Sequence, residues 1–132
     1  MRIFVDTSAL YALLDRDDRN HQKGKKAWRE ILDGSSTLVT SNYILVETLA
    51  LLQSRLGLEA VRGFQEDVVP ILQVEFVTLD IHRAGMAALL SAGRRGLSLV
   101  DCVSFELMRN LGIKIAFTFD AHFKEQGFTT VP

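Results

Sequence analysis

Apolar residues enter this chain in short unbroken bursts, separated by longer stretches in which they recur every three or four positions. RIFV (2–5) is one Arg followed by three apolar residues, a pattern that fits a strand covered on both faces, as in a parallel sheet. Residues 8–15 and 20–33 predict helices, and in the second Gly24, Ala27, Trp28, Ile31 and Leu32 share one stripe. TLVT (37–40) predicts a second strand. SNYILVETLALLQSRLG (41–57) predicts a helix with Ser41 as its N-cap and Gly57 as its stop. A helix over 58–69 is expected to end before Pro70, VEFVTL (74–79) to form a third strand, and Asp80 to cap a helix carrying Ile81, Ala84, Gly85, Ala88, Leu89 and Ala92. Ser98 starts another helix, to Leu111, followed by strands at IKIAFTF (113–119) and FTTV (128–131). Strands joined by helical crossovers predict an α/β fold with a mainly parallel central sheet covered on both faces, a three-layer α/β/α sandwich. No linker, repeat or low-complexity segment divides the chain, so residues 1–132 are expected to form one domain.

Composition narrows the function classes. A chain of 132 residues, 48% hydrophobic, can bury roughly two thirds of its unfolded surface in one core. No apolar stretch approaches the roughly 18 residues of a membrane span, and the basic-then-apolar pattern of a secretory signal is missing, so a soluble cytoplasmic protein with no membrane partner is expected. The single cysteine, Cys102, offers neither an internal disulfide nor a zinc pair and reads as a buried thiol. A net charge of −1 argues against nucleic-acid binding through a strong positive field. Binding through a bound cation remains open.

The acids carry the chemistry. Asp6 ends the first strand and Asp120 the fourth, which places both along the carboxyl edge of the sheet, where ligands bind in open parallel sheets. An Asp after a strand is also a common helix N-cap. Glu47 has Tyr43, Ile44, Ala50 and Leu51 one turn away, a setting costly for a carboxylate unless a cation compensates or the side chain reaches water. Asp101, in SLVDCVSF, follows Ser98 by three residues and also fits a capping box. Four acids, read as a set with no His or Cys among the ligands, match the oxygen donors preferred by Mg2+ or Mn2+. Phosphate groups are the natural substrate of such a site.

Other polar residues read as structural. Asp80 is taken as a helix cap, Asp15, Asp17 and Asp18 as a solvated connector, and His21 as a packed or capping histidine. His82 and His122 show no partner at a telling spacing. Arg94 and Arg95, in AGRRGLS, are surface charge or contacts to a phosphodiester backbone.

Taken together, IFVDTSAL, VETLALL, SLVDCVSF and TFDAHF resemble the PIN domain in its small VapC-like toxin ribonuclease form, over essentially the whole chain. The resemblance assigns the family's four acids to Asp6, Glu47, Asp101 and Asp120 as catalytic metal ligands, with Thr7, Ser8 and Thr118 supporting them. It implies a PIN-like sandwich, Mg2+- or Mn2+-dependent cleavage of RNA, a homodimer and a small antitoxin partner. A housekeeping PIN nuclease and a non-catalytic PIN-like binding domain remain alternatives. So does a phosphorelay receiver, although its acidic pair and lysine are not matched here, and a haloacid-dehalogenase-like phosphatase, whose second Asp is replaced by Ser8.

Overall fold

The computed structural model describes all of residues 1–132. At its centre lies β1 (Arg2–Val5), whose Ile3, Phe4 and Val5 are almost wholly buried. It pairs in parallel with β2 (Thr37–Ser41) on one side and β4 (Ile115–Phe117) on the other. The edges are β3 (Gln73–Glu75) and β5 (Thr129–Val131), giving an all-parallel sheet of order β3-β2-β1-β4-β5.

The chain winds outward from β1 through β2 to β3, then crosses back to β4 and continues to β5. The reversal of strand order therefore falls between β1 and β4. Helix α1 (Thr7–Leu14) packs on both α2 (His21–Asp33) and α3 (Asn42–Leu56), and α3 on α4 (Leu58–Gly63), whereas α5 (Leu79–Ala92) and α6 (Leu99–Leu111) pack as a separate pair. Right-handed crossovers running in opposite directions place such groups on opposite faces of a sheet. A short α7 (His122–Glu125) leads into β5. One contiguous core joins the layers, with Phe4, Phe117, Phe123, Leu10, Ile44 and Met108 fully buried. No helix is long and apolar enough to cross a membrane.

Several boundaries differ from the sequence reading. The helix expected over 58–69 stays α-helical only to Gly63; residues 64–68 widen into a π-turn around the buried Phe64, and a 3-10 turn over 69–71 contains Pro70. Proline lacks the N–H that would continue an α-helical ladder. The third strand is three residues rather than 74–79 because it is an edge with β2 as its single partner. Beyond it the Val77 amide turns away to donate to Asn42 Oδ1 at 2.8 Å. Thr78, not Asp80, caps α5: its Oγ1 accepts from the Ile81 amide, and Asp80 sits exposed in the first turn. The fourth strand is shorter than 113–119, since after Phe117 the chain leaves the ladder towards the acids. Ser41 and Gly57 bound α3 as expected, and Cys102 is buried, its thiol pKa pushed up by that burial and by Asp101 and Glu106.

Candidate active site

A cavity of about 470 Å³ opens at the carboxyl edge of the sheet, beside the strand-order reversal, and Asp6, Glu47, Asp101 and Asp120 all line it. Parallel strands deliver their ends to one edge, so residues 6 and 120 meet although far apart in sequence. Glu47 arrives from the middle of α3 and Asp101 from the first turn of α6.

Asp6 is both helix cap and site residue. Its Oδ2 accepts hydrogen bonds from Ser8 Oγ at 2.7 Å, Thr118 Oγ1 at 2.8 Å and, at a long 3.4 Å, the Ser8 amide. Oδ1 takes part in none of these bonds. The two hydroxyls are themselves held: Ser8 Oγ accepts from the Phe119 amide at 2.9 Å and Thr118 Oγ1 from the Asp120 amide at 3.0 Å. Each hydroxyl has one proton. With both protons directed at Asp6, the 3.1 Å approach of Ser8 to Thr118 is a packing contact between oxygens.

The same division of labour recurs at the other two aspartates. Asp101 Oδ2 accepts from the Ser98 amide at 3.1 Å, closing the capping box with Ser98 Oγ. Asp120 Oδ1 accepts from the His122 amide at 2.9 Å. In each aspartate one oxygen is tied to the scaffold and the other is left without a protein hydrogen bond. Glu47, half-buried, makes no hydrogen bond through its side chain.

These carboxylates repel one another. Burial pushes the Asp6 pKa from 3.8 up to about 6; the Ser8 and Thr118 hydrogen bonds oppose the rise, and the charges of Asp101 and Asp120 add to it. Burial also raises Asp101, against its bond from the Ser98 amide, with Asp120 adding to the rise. A cation would relieve both effects. Carboxylate oxygens of Asp101 and Asp120 and a ring nitrogen of His122 lie within 4.8 Å of one another. The donor set, three free aspartate oxygens and Glu47 around a polar cavity, suits a hard divalent ion.

Thr7 lines the same cavity but makes no hydrogen bond to the acids. Its Oγ1 accepts from Thr48 Oγ1 at 3.3 Å, tying α1 to α3 beside Glu47. Arg94 is paired with Glu125 at 3.2 Å, Arg95 is exposed, and neither lines the cavity. His122, set aside in the sequence, stands at the site: Nδ1 is 3.0 Å from Asp120 Oδ1, close but not aligned as a hydrogen bond. The Asp-x-His spacing was the available signal. Asp18, expected in a solvated connector, instead lines the cavity half-buried as a fifth carboxylate, because the turn before α2 folds over the site. Tyr11, Arg19, Asn20 and Arg55 line it too, the first three with no local signal of it in the sequence, while Leu51 stands there beside Glu47. Four-residue spacing from Glu47 through Leu51 to Arg55 marks one helix face and could have found Arg55. His21 is packed as expected, with Nδ1 2.7 Å from the Ala12 carbonyl, and His82 bonds to the Tyr43 hydroxyl. A second cavity, about 520 Å³, lies against α2 and the chain ends and has Glu30 as its one acid.

Residues 3–128 match the PIN domain. The 23S rRNA-specific endonuclease VapC20 of Mycobacterium tuberculosis is 36% identical over 130 residues, covering 98% of this chain and 97% of that protein. The crystal structure of Mycobacterium tuberculosis VapC20, described as a sarcin-ricin loop cleaving toxin, superposes with a TM-score of 0.86 at 34% identity over 96% of each chain. FitAcB from Neisseria gonorrhoeae shares the fold, with a TM-score of 0.69 at 12% identity over 100% of this chain and 97% of that one.

Proposed function

The chain belongs to the PIN domain family, and on that premise we propose that residues 1–132 form a metal-dependent endoribonuclease, the toxin of a toxin-antitoxin pair, acting on a ribosomal RNA loop. The observation that carries this reading is the set of aspartates at the strand-order reversal, each with one oxygen fixed by the scaffold and one free toward a common cavity. The receiver-like and phosphatase-like alternatives fall with the family assignment.

Asp6, Glu47, Asp101 and Asp120 would hold Mg2+ or Mn2+. When bound, the ion supplies positive charge to the phosphate and to the departing 3'-oxygen and lowers the pKa of the attacking water. Ser8 and Thr118 fix the Asp6 carboxylate, so that its free oxygen is aimed before substrate arrives. The capping box does the same for Asp101 and ties its position to the first turn of α6. The Asp120 carboxylate is held by the turn into α7, with the His122 ring against it.

The test is to incubate purified protein with labelled RNAs, including one carrying a sarcin-ricin loop, with Mg2+, Mn2+ or EDTA, and to map the ends. Metal-dependent cuts at one position are expected. Intact RNA under every metal condition overturns the assignment.

A partner surface belongs to the same reading. Val46, Phe76 and Leu79 are each at least 60% exposed around the junction where Asn42 and Tyr43 bond to Val77 and His82. Exposed large apolar groups of this kind mark association sites; a homodimer would cover them. Light scattering should give twice the chain mass, and Val46→Glu with Leu79→Glu should give a monomer. A small antitoxin encoded beside the gene should relieve growth arrest caused by expressing this chain alone.

A further inference from the structure

The cavity carries two arginines that the acid chemistry leaves unused, Arg19 and Arg55. On α3, Glu47, Leu51 and Arg55 follow at four-residue intervals and all three line the cavity. Two such intervals advance about 12 Å along a helix. Arg55 therefore stands farther along the same groove than Glu47 does, about two helical turns from it.

Arg55 is pre-positioned. Its guanidinium carbon stands 5.2 Å from the centroid of the Tyr11 ring. The ring is buried and anchored through its hydroxyl, which donates to Asp15 Oδ2 at 2.8 Å. Asp15 also accepts from the Asp17 amide at 2.9 Å. The salt bridges of the molecule join Arg94 to Glu125, Arg109 to Glu106 and His122 to Asp120, so neither Arg55 nor Arg19 has a carboxylate within 4.0 Å. Both are exposed. A groove with acids at one end and beyond them an exposed guanidinium that attracts Asp15 without forming a salt bridge to it suits a polyanion, one phosphate meeting the acids and another the arginine. The planar fork of guanidinium matches phosphate better than a lysine ammonium does. A purely structural role also exists for Arg55, since it is the basic residue in the last turn of α3 and favours the helix dipole there. That role would govern stability and would not respond to RNA.

We propose that Arg55, held over Tyr11, binds a backbone phosphate of the RNA flanking the one cleaved, with Arg19 assisting on the same groove. This rests on the ribonuclease reading and adds the arm that places the strand in register with the acids. The contact is made in both ground state and transition state, so its loss should appear in KM rather than kcat.

Steady-state cleavage of the RNA identified by end mapping, followed across a KCl series, tests it. Arg55→Gln should raise KM on the order of tenfold with kcat within about twofold. It should also make the slope of log kcat/KM against log salt shallower by about 0.7, the counterion release of one single-stranded phosphate contact. Arg55→Lys should restore the slope while recovering KM in part, because the charge returns without the fork. Lys114→Gln, just before β4 at the opposite edge of the sheet, should leave both unchanged. If Arg55→Gln lowers melting temperature but keeps the wild-type KM and slope, the arginine is structural and the proposal is overturned. Should that variant fold poorly, Arg55→Lys decides: a wild-type KM there rejects recognition by the guanidinium fork. Wild type that cuts no RNA defeats the ribonuclease reading itself, a distinct outcome from active wild type with indifferent Arg55 variants.

Discussion

Asp6 is where fold and chemistry conflict most directly. A carboxylate at 4% exposure is retained because Ser8 and Thr118 both donate to one of its oxygens, yet its pKa still stands at about 6 rather than 3.8. An acid whose folded pKa is raised stabilises nothing by ionising. Without metal, the fold should be most stable below pH 3.8 as far as Asp6 is concerned, lose stability as pH rises from 3.8 to about 6, and level off above. At about 1.4 kcal/mol per pH unit, that interval corresponds to about 3 kcal/mol. Asp6→Asn should therefore melt higher than wild type in EDTA at pH 7.5, about the pH of the cell, with the difference vanishing near pH 4, while cleavage falls at least 100-fold. A variant that melts lower at both pH values would show that the charge is not the source of strain. Thr118→Val removes one bond to the charged form and should move the Asp6 titration upward, shifting the acid limb of the cleavage profile to higher pH at subsaturating metal. Rates measured from pH 5 to 8 check this.

Among the elements, α5 and α6 depend on a missing side chain. A Cβ on Gly85 would lie 2.5 Å from Val103 Cγ2 and 3.1 Å from the Val103 backbone, so the two helices touch backbone to side chain. Because Val103 is fully buried and its backbone cannot yield, Gly85→Ala should cost about 1–3 kcal/mol despite the better helix propensity of alanine. Urea denaturation measures it, and Gly85→Ala with Val103→Ala should recover part of the loss if steric overlap is the cause. Asp101 belongs to the first turn of α6 and moves with this pair; the double variant should therefore recover activity as it recovers stability.

For the whole molecule, the acids bring charge from four separate elements to one edge of the sheet, and metal should bind the folded state far better than the unfolded chain. At a free concentration of 100 times the dissociation constant, such binding adds about 2.7 kcal/mol, on the order of 10 °C for a domain of this size. Thermal melts across an Mn2+ titration should show that shift in wild type and much less in Asp101→Asn. A wild-type melting temperature indifferent to millimolar Mn2+ would mean that the four acids do not act as one site.

The alternation of buried bursts with helical stripes determined the parallel α/β fold, because a strand covered on both faces has no polar positions to spare and declares itself locally. IFVDTSAL, VETLALL, SLVDCVSF and TFDAHF likewise pointed to the four acids that line one cavity, since caps, strand ends and a carboxylate set among apolar neighbours carry short-range signatures. Tertiary structure decided the rest. Edge pairing cut the third strand to three residues, for a strand's length depends on its neighbour. Thr78 displaced Asp80 as the cap of α5 because the Val77 amide is drawn to Asn42 on another helix. Arg55 and Tyr11 came together on one groove with Asp6 only when α1 and α3 packed side by side. Side-chain contacts between elements are set by distances in space, which no local pattern of residues encodes.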